Sequence, residues 1–141
     1  MQSDAKNKTT LELCSSRDNI AQVSALLSEA LEKLNLPGET MFDLKLAATE
    51  AVVNAVEHGN KYDERKMIHV SCEARNGAVI ISVRDEGDGF DPAGVPDPTL
   101  PENILKEHGR GIFLMRNLCD DVRYNAKGNE VTIVKKIPKA S

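Results

Sequence analysis

The sequence predicts an α+β fold: a two-layer sandwich with helices on one face of a mixed, mostly antiparallel sheet. Three observations carry this reading. The apolar pattern runs β-α-α-β-β-loop-α-β-β, without the regular alternation that a doubly wound sheet requires. The β-rich runs come in pairs, joined at Asn76-Gly77 and at Lys127-Gly128-Asn129, and short glycine turns of this kind connect antiparallel neighbours. Finally, residues 80–83 look apolar on both faces, as a central strand does.

Taken in order, residues 9–14 alternate polar and apolar side chains and read as a short strand. Ile20, Val23, Leu26, Leu27, Ala30, Leu31 and Leu34 form a helical stripe, with Asp18 as N-cap and Pro37-Gly38 as the stop. Thr40 is placed to cap a second helix over 41–58, closed by Gly59-Asn60. The pair 67–74 and 78–84 forms a hairpin, 85–89 a turn, and the proline-rich stretch 92–108 an irregular loop. Residues 111–119 are helical in character. Residues 121–126 and 131–137 make the last hairpin.

The chain has 141 residues, 40% of them hydrophobic and 28% charged, which predicts one domain over 1–141 with a single core. Its net charge of -4 carries no long block of one sign, so a direct nucleic-acid surface, which needs clustered Lys and Arg, is excluded. Apolar runs of three or four residues cannot cross a bilayer. The polar N-terminus lacks the apolar stretch of a signal peptide, and a cytoplasmic location follows. Cys14, Cys72 and Cys119 show no C-x-x-C spacing and read as buried, reduced thiols. With no Trp and 4% aromatics, stacking is not expected to hold a base.

Three segments carry chemistry. On a helix at about 100° per residue, Leu44, Ala48, Ala51, Val52, Ala55 and Val56 cover one broad side of 43–58, while Leu46 and Val53 lie nearly opposite. Between them runs a narrow polar stripe: Asp43, Glu50, Asn54 and Glu57. Glu50 and Asn54 stand at i, i+4 and point the same way. An amide oxygen suits Mg²⁺ and phosphate, and a carboxylate beside it can act as general base. A solvated helix face would show the same stripe, but the apolar flanks leave it little open water.

The second segment, Asp85-Glu86-Gly87-Asp88-Gly89, follows the central strand. It reads as a tight turn or as a base-binding loop, in which Asp85 accepts from an adenine amino group and the glycines let backbone pass under the base. Glycines at two alternate positions argue against an EF-hand. In the third, Gly109-Arg110-Gly111 precedes a helical segment, offering free backbone N–H groups and a cation to phosphate. It is neither a P-loop nor a dinucleotide fingerprint.

Together and in this order, the segments Glu50-Ala51-Val52-Val53-Asn54-Ala55-Val56-Glu57-His58-Gly59, Asp85-Glu86-Gly87-Asp88-Gly89-Phe90-Asp91 and Gly109-Arg110-Gly111-Ile112-Phe113-Leu114-Met115 resemble the histidine-kinase-like (GHKL) ATPase superfamily, with its Bergerat-type ATP-binding fold. The branch most similar is that of the anti-sigma factor serine-protein kinases, and the resemblance runs over about 11–137. It implies Glu50 as the general base toward a serine hydroxyl and Asn54 as an ATP-binding ligand of Mg²⁺. It implies that Asp85 reads adenine, supported by Thr132 through a shared water. Gly87, Gly89 and the adjoining Phe90 would line the base, and Gly109, Arg110, Gly111 and Ile112 would wrap the phosphates. Residues 92–108 would be the ATP lid. His58 stands between two readings, a neighbour of phosphate or lid and a helix-terminal His meeting the dipole.

The implied function is that of an ATP-dependent kinase, homodimeric, which sequesters a sigma factor and phosphorylates a small anti-sigma factor antagonist. The competing reading is a nucleotide-gated binding module with little or no kinase activity. Members of this branch often carry an arginine early in the first long helix for partner contacts. Here that position is Gln22, and the nearest basic residue is Arg17. Met115 and Phe113 read as packing, His69 as structural and Glu57 as a solvated or ion-paired neighbour.

Overall fold

The computed structural model describes residues 8–88 and 114–138. The first strand, β1 (Lys8–Cys14), sends Leu11 and Leu13 toward the core. Helix α1 (Arg17–Glu32) is capped by Ser16, whose hydroxyl accepts from the Asn19 N–H at 3.2 Å. Asp18 therefore lies inside the first turn, where its charge meets the unpaired N–H end, and is not the cap. Helix α1 stops at Glu32, before Asn35 adopts a left-handed φ of 54°. Pro37-Gly38 opens the next helix instead of closing this one. Proline's fixed φ suits that position, because its missing N–H would have no partner there.

Helix α2 (Gly38–Asn54) has Pro37 at its N-cap without a side-chain bond, and Thr40 is buried in the first turn instead of capping. At its C-terminal end the helix widens into one π-helical turn, Ala55–Gly59, closed by the Asn60 N–H reaching the Ala55 carbonyl at 2.8 Å. Leu44, Ala48, Ala51, Val52 and Val56 are buried on one side. The opposite side is less covered than expected: Phe42 is 62% and Leu46 38% exposed, since α1 and the sheet cover only the first side.

Strands β2 (Met67–Arg75), β3 (Ala78–Arg84), β4 (Asp121–Tyr124) and β5 (Glu130–Lys136) complete one five-stranded sheet in the order β1-β2-β3-β5-β4. All four pairings among the described residues are antiparallel, so the sheet there is not mixed as the sequence reading has it. The β2–β3 turn takes positive φ at Asn76 (54°) and Gly77 (75°), the geometry that an Asn-Gly hairpin needs. Strand β4 is shorter than the run 121–126 because the Asn125 side-chain oxygen gathers the N–H groups of Gly128, Asn129 and Glu130 into the connecting loop.

Alternate residues Ile68, Val70, Cys72, Val79, Ile81, Val83, Val131 and Ile133 face the helices and are buried. A lysine clips the two layers together. Lys135 Nζ donates to Asp43 Oδ2 at 3.1 Å and to the Leu118 carbonyl at 2.7 Å, joining β5 to α2 and to the helical turn at 114–118. Cys72 and Cys119 are free thiols pushed up to about 11 by burial, as inert core thiols should be. The proline-rich loop 92–108 lies outside the described residues.

Ile81 sits at the centre of β3 and is fully buried. Ile81→Ala is expected to cost about 3 kcal/mol through lost transfer energy and a residual cavity. Urea unfolding of the two proteins measures this directly.

Candidate functional site

A cleft of about 260 Å³ opens where the C-terminal part of α2 leans over the ends of β3 and β5. One helical face supplies Ala51, Asn54, Ala55 and His58, at i, i+3, i+4 and i+7. The sheet supplies Val83, Asp85 and Val131, and the β4–β5 hairpin supplies Tyr124, Gly128 and Asn129. Its wall combines alanine, valine and a tyrosine ring with the polar side chains of Asn54, His58, Asp85, Asn129 and Glu130. Flat, partly apolar ligands with a polar edge suit such a surface.

Asp85 is the most constrained of these polar groups. The residue is 8% exposed, and its Oδ1 accepts the Gly87 N–H at 2.8 Å. Burial pushes its carboxyl above the ordinary Asp value of 3.8, while the Gly87 N–H and the more distant Lys127, Lys66 and Arg84 pull it back. The backbone on either side is tied down as well. The Asp85 N–H donates to the Asn129 carbonyl at 2.9 Å, and Asn129 Nδ2 donates to the Asp85 carbonyl at 3.1 Å.

Two glycines make this packing possible. A Cβ on Gly59 would run into the Asp85 carboxylate, and one on Gly87 would run into the Gly59 carbonyl. The π-helical turn and the loop after β3 thus meet backbone to backbone. The sequence expects Gly87 to line the base, but it packs against Gly59, behind Asp85, and is not among the residues lining the cleft.

On the helical side, Asn54 faces the cleft with its Nδ2 buried and without a hydrogen-bond partner among the described residues. An unpaired buried amide costs about 1–3 kcal/mol, and a ligand in the cleft could satisfy it. Glu50 lies one turn earlier on the same side of α2, half-buried. It is close enough to Tyr124 for its charge to raise the phenol, whose value burial already raises and Arg116 partly lowers.

The structure therefore brings Asn54, His58 and Asp85 to one cleft, with Glu50 one turn away. Thr132 does not join them. It pairs with Ser82 on the opposite face of the sheet, where the two hydroxyls lie 3.1 Å apart, and Val131 faces the cleft in its place. A strand turns successive side chains to opposite faces, so an error of one position in register reverses the assignment. Gly89, Phe90, Gly109, Arg110, Gly111 and Ile112 lie outside the described residues. The sequence reading misses Tyr124, Asn129 and Asn60. Asn60 reads there as a helix stop, yet it is 1% exposed and makes three side-chain hydrogen bonds.

Residues 14–135 match the family described as the histidine kinase-like ATPase domain. This chain belongs to that family. Among its relatives, the serine-protein kinase RsbW of Staphylococcus epidermidis is 31% identical over 137 aligned residues, covering 92% of this chain and 86% of that protein. RsbW of Bacillus subtilis is 32% identical over 116 residues, covering 77% and 72%. The anti-sigma F factor of Geobacillus stearothermophilus is 27% identical over 138 residues, covering 92% and 90%. In three dimensions, the RsbU and RsbW domains of a Mycobacterium tuberculosis protein match with a TM-score of 0.67 at 22% identity, covering 92% of this chain and 32% of that one. That last likeness speaks to the fold alone.

Membership in an ATPase family implies that the chain uses ATP. Among the described residues no helix is long and apolar enough to cross a membrane. The Gly59–Asp85 contact yields a direct prediction: Gly59→Ala displaces the carboxylate and weakens ATP binding by at least about tenfold. Its melting temperature falls at the same time. Calorimetric titration alongside a thermal melt separates the two effects.

Proposed function

We propose that this chain is an ATP-dependent protein-serine kinase acting as an anti-sigma regulatory factor. It holds a sigma-type partner and phosphorylates a small anti-sigma factor antagonist. The observation that carries the reading is the pairing, across one cleft, of a buried Asp85 with an unpartnered Asn54 one turn from Glu50. The names of the relatives supply the substrate class: serine-protein kinase and anti-sigma factor.

In this reading Asp85 accepts from the adenine amino group, and Val83, Val131 and Ala55 enclose the base. Asn54 turns its amide toward the phosphates. The donor set fits Mg²⁺ held mainly by phosphate and water, with one neutral amide oxygen from the protein. No cluster of three or more His, Cys, Asp or Glu side chains competes for a metal among the described residues. When bound, the cation neutralises charge on the phosphates. Glu50 takes the proton from a serine hydroxyl as its oxygen bonds to the γ-phosphorus. The bond from that phosphorus to the bridging oxygen breaks, and ADP leaves with the electron pair. Positioning and charge neutralisation supply most of the rate. Gly89, Phe90 and the 109–112 segment complete the site by resemblance. A homodimer in the cytoplasm, as in the branch it resembles, accompanies this role.

Two experiments test the reading. Glu50→Gln is expected to bind ATP within about threefold of wild type and to lose phosphoryl transfer by about 10²-fold or more. Equal transfer by the variant removes Glu50 from its role. Asn54→Ala should instead weaken Mg²⁺-dependent ATP binding. ATP binding without transfer to any serine-bearing partner, in wild type, turns the reading to the nucleotide-gated binding module. Exposed Gln22, in place of the branch's arginine, is the residue that favours that alternative.

Acid should also weaken binding in a specific window. Only ionised Asp85 offers both oxygens as acceptors, and its carboxyl sits above 3.8 because of burial. As pH falls through that raised value, the carboxyl takes up its proton and ATP affinity drops, before ordinary aspartates titrate. Titration with ATP across this range checks the midpoint. A fall confined to pH below 3.8 contradicts the assignment.

A further inference from the structure

We infer that Asn60 is a positioning residue that sets how strictly the cleft prefers adenine over guanine nucleotides. The inference rests on the proposed reading of Asp85 as the group that meets the base. Asn60 follows the π-helical turn, is buried at 1% exposure and does not line the cleft. Its whole amide is in use. Nδ2 donates to the Ser15 hydroxyl and, at 2.9 Å, to the Met67 carbonyl; Oδ1 accepts the Glu86 N–H at 2.7 Å.

The last of these bonds matters for selection. Glu86 directly follows Asp85, so the Asn60 bond fixes the peptide that leaves Asp85, while Asn129 fixes the Asp85 carbonyl and N–H from the other side. The Glu86 side chain adds a second anchor: one oxygen accepts the Met67 N–H at 3.0 Å and the other meets His69 Nε2 at 2.8 Å. With both flanking peptides held, the Gly87 N–H that bonds Oδ1 and the Gly59 backbone against the carboxylate stay in place, and together they restrain the direction of the carboxylate. Adenine presents an amino group at the edge Asp85 reads, and guanine presents a carbonyl there. A fixed carboxylate gains a hydrogen bond from the first and repels the second. A carboxylate free to rotate escapes the repulsion, so it loses selectivity before it loses all affinity.

The structure also separates this role from plain stability. The Ser15 bond ties Asn60 to the end of β1 and does not touch the Asp85 loop, whereas the Glu86 bond does. Ser15→Ala therefore removes a buried hydrogen bond of similar kind without freeing Asp85. Asn60→Asp keeps an oxygen for the Glu86 N–H and gives up the two donated bonds. Asn60→Ala removes all three. Asn60→Ser keeps a hydroxyl but falls short of Glu86, and replaces the alanine variant should that fail to fold.

The test is calorimetric titration of wild type and these variants with ATP and with GTP in Mg²⁺, paired with melting temperatures. Asn60→Ala, or Asn60→Ser, is expected to reduce the ATP-to-GTP affinity ratio about tenfold. Asn60→Asp keeps most of the ratio, and Ser15→Ala melts earlier with the ratio unchanged. An unchanged ratio in folded Asn60→Ala or Asn60→Ser overturns the inference. So does an equal loss of the ratio in Ser15→Ala, which would make it a general loosening. Wild type that binds ATP and GTP alike sinks the inference by removing the preference to be set. Wild type that binds neither nucleotide sinks the reading of the cleft itself, and the inference with it.

Discussion

The site depends on a close approach of two backbones around a single carboxylate. Gly59, at the end of the π-helical turn, and Gly87, in the loop after β3, meet beside Asp85, and neither position has room for a Cβ. This contact joins the helical layer to the sheet beside the cleft. The distance between Asn54 and Asp85 follows from it, because each lies a few residues from one of the two glycines. Function therefore leans on backbone packing as much as on the side chains that face a ligand. The neighbouring amides, Asn60 and Asn129, turn that packing into a fixed direction for the carboxylate.

Much of the fold could be read from periodicity. The helical stripe from Ile20 to Leu31, the Asn76-Gly77 turn and the β-rich run 67–74 each follow from one local rule, and the structure keeps them, although the helix ends before Leu34. Helix ends were harder. Ser16 outcompetes Asp18 as the cap, and Pro37-Gly38 serves a start instead of a stop, because capping depends on where the chain enters the helix and not on residue type alone. The widened turn at Ala55–Gly59 leaves no mark in the apolar pattern, since Ala55 and Val56 suit either helical form.

The polar stripe and the loop after the central strand lead to the place where the structure opens a cleft, because an acid and an amide flanked by alanines and valines are conspicuous in a sequence. Thr132 was not legible in the same way. Its neighbour Val131 shares the strand, and only the pairing of Ser82 with Thr132 decides which of them turns toward the cleft. Asn60 illustrates a different limit. Its partners, Ser15, Met67 and Glu86, come from three separate parts of the chain, and no local spacing announces a bond network of that span.

The composition of the wall has an optical consequence. The chain has no tryptophan and two tyrosines, so its ultraviolet emission comes from Tyr62 and Tyr124. Tyr124 lines the cleft. Tyr62 lies away from it, with the Arg17 guanidinium 5.0 Å over its ring and its hydroxyl donating to Glu57 at 2.7 Å. One fluorophore thus borders the cleft while the other lies outside it, so a change in the summed tyrosine emission on ligand binding reports on Tyr124. The protein carries its own occupancy gauge, readable without a label and without altering a single residue.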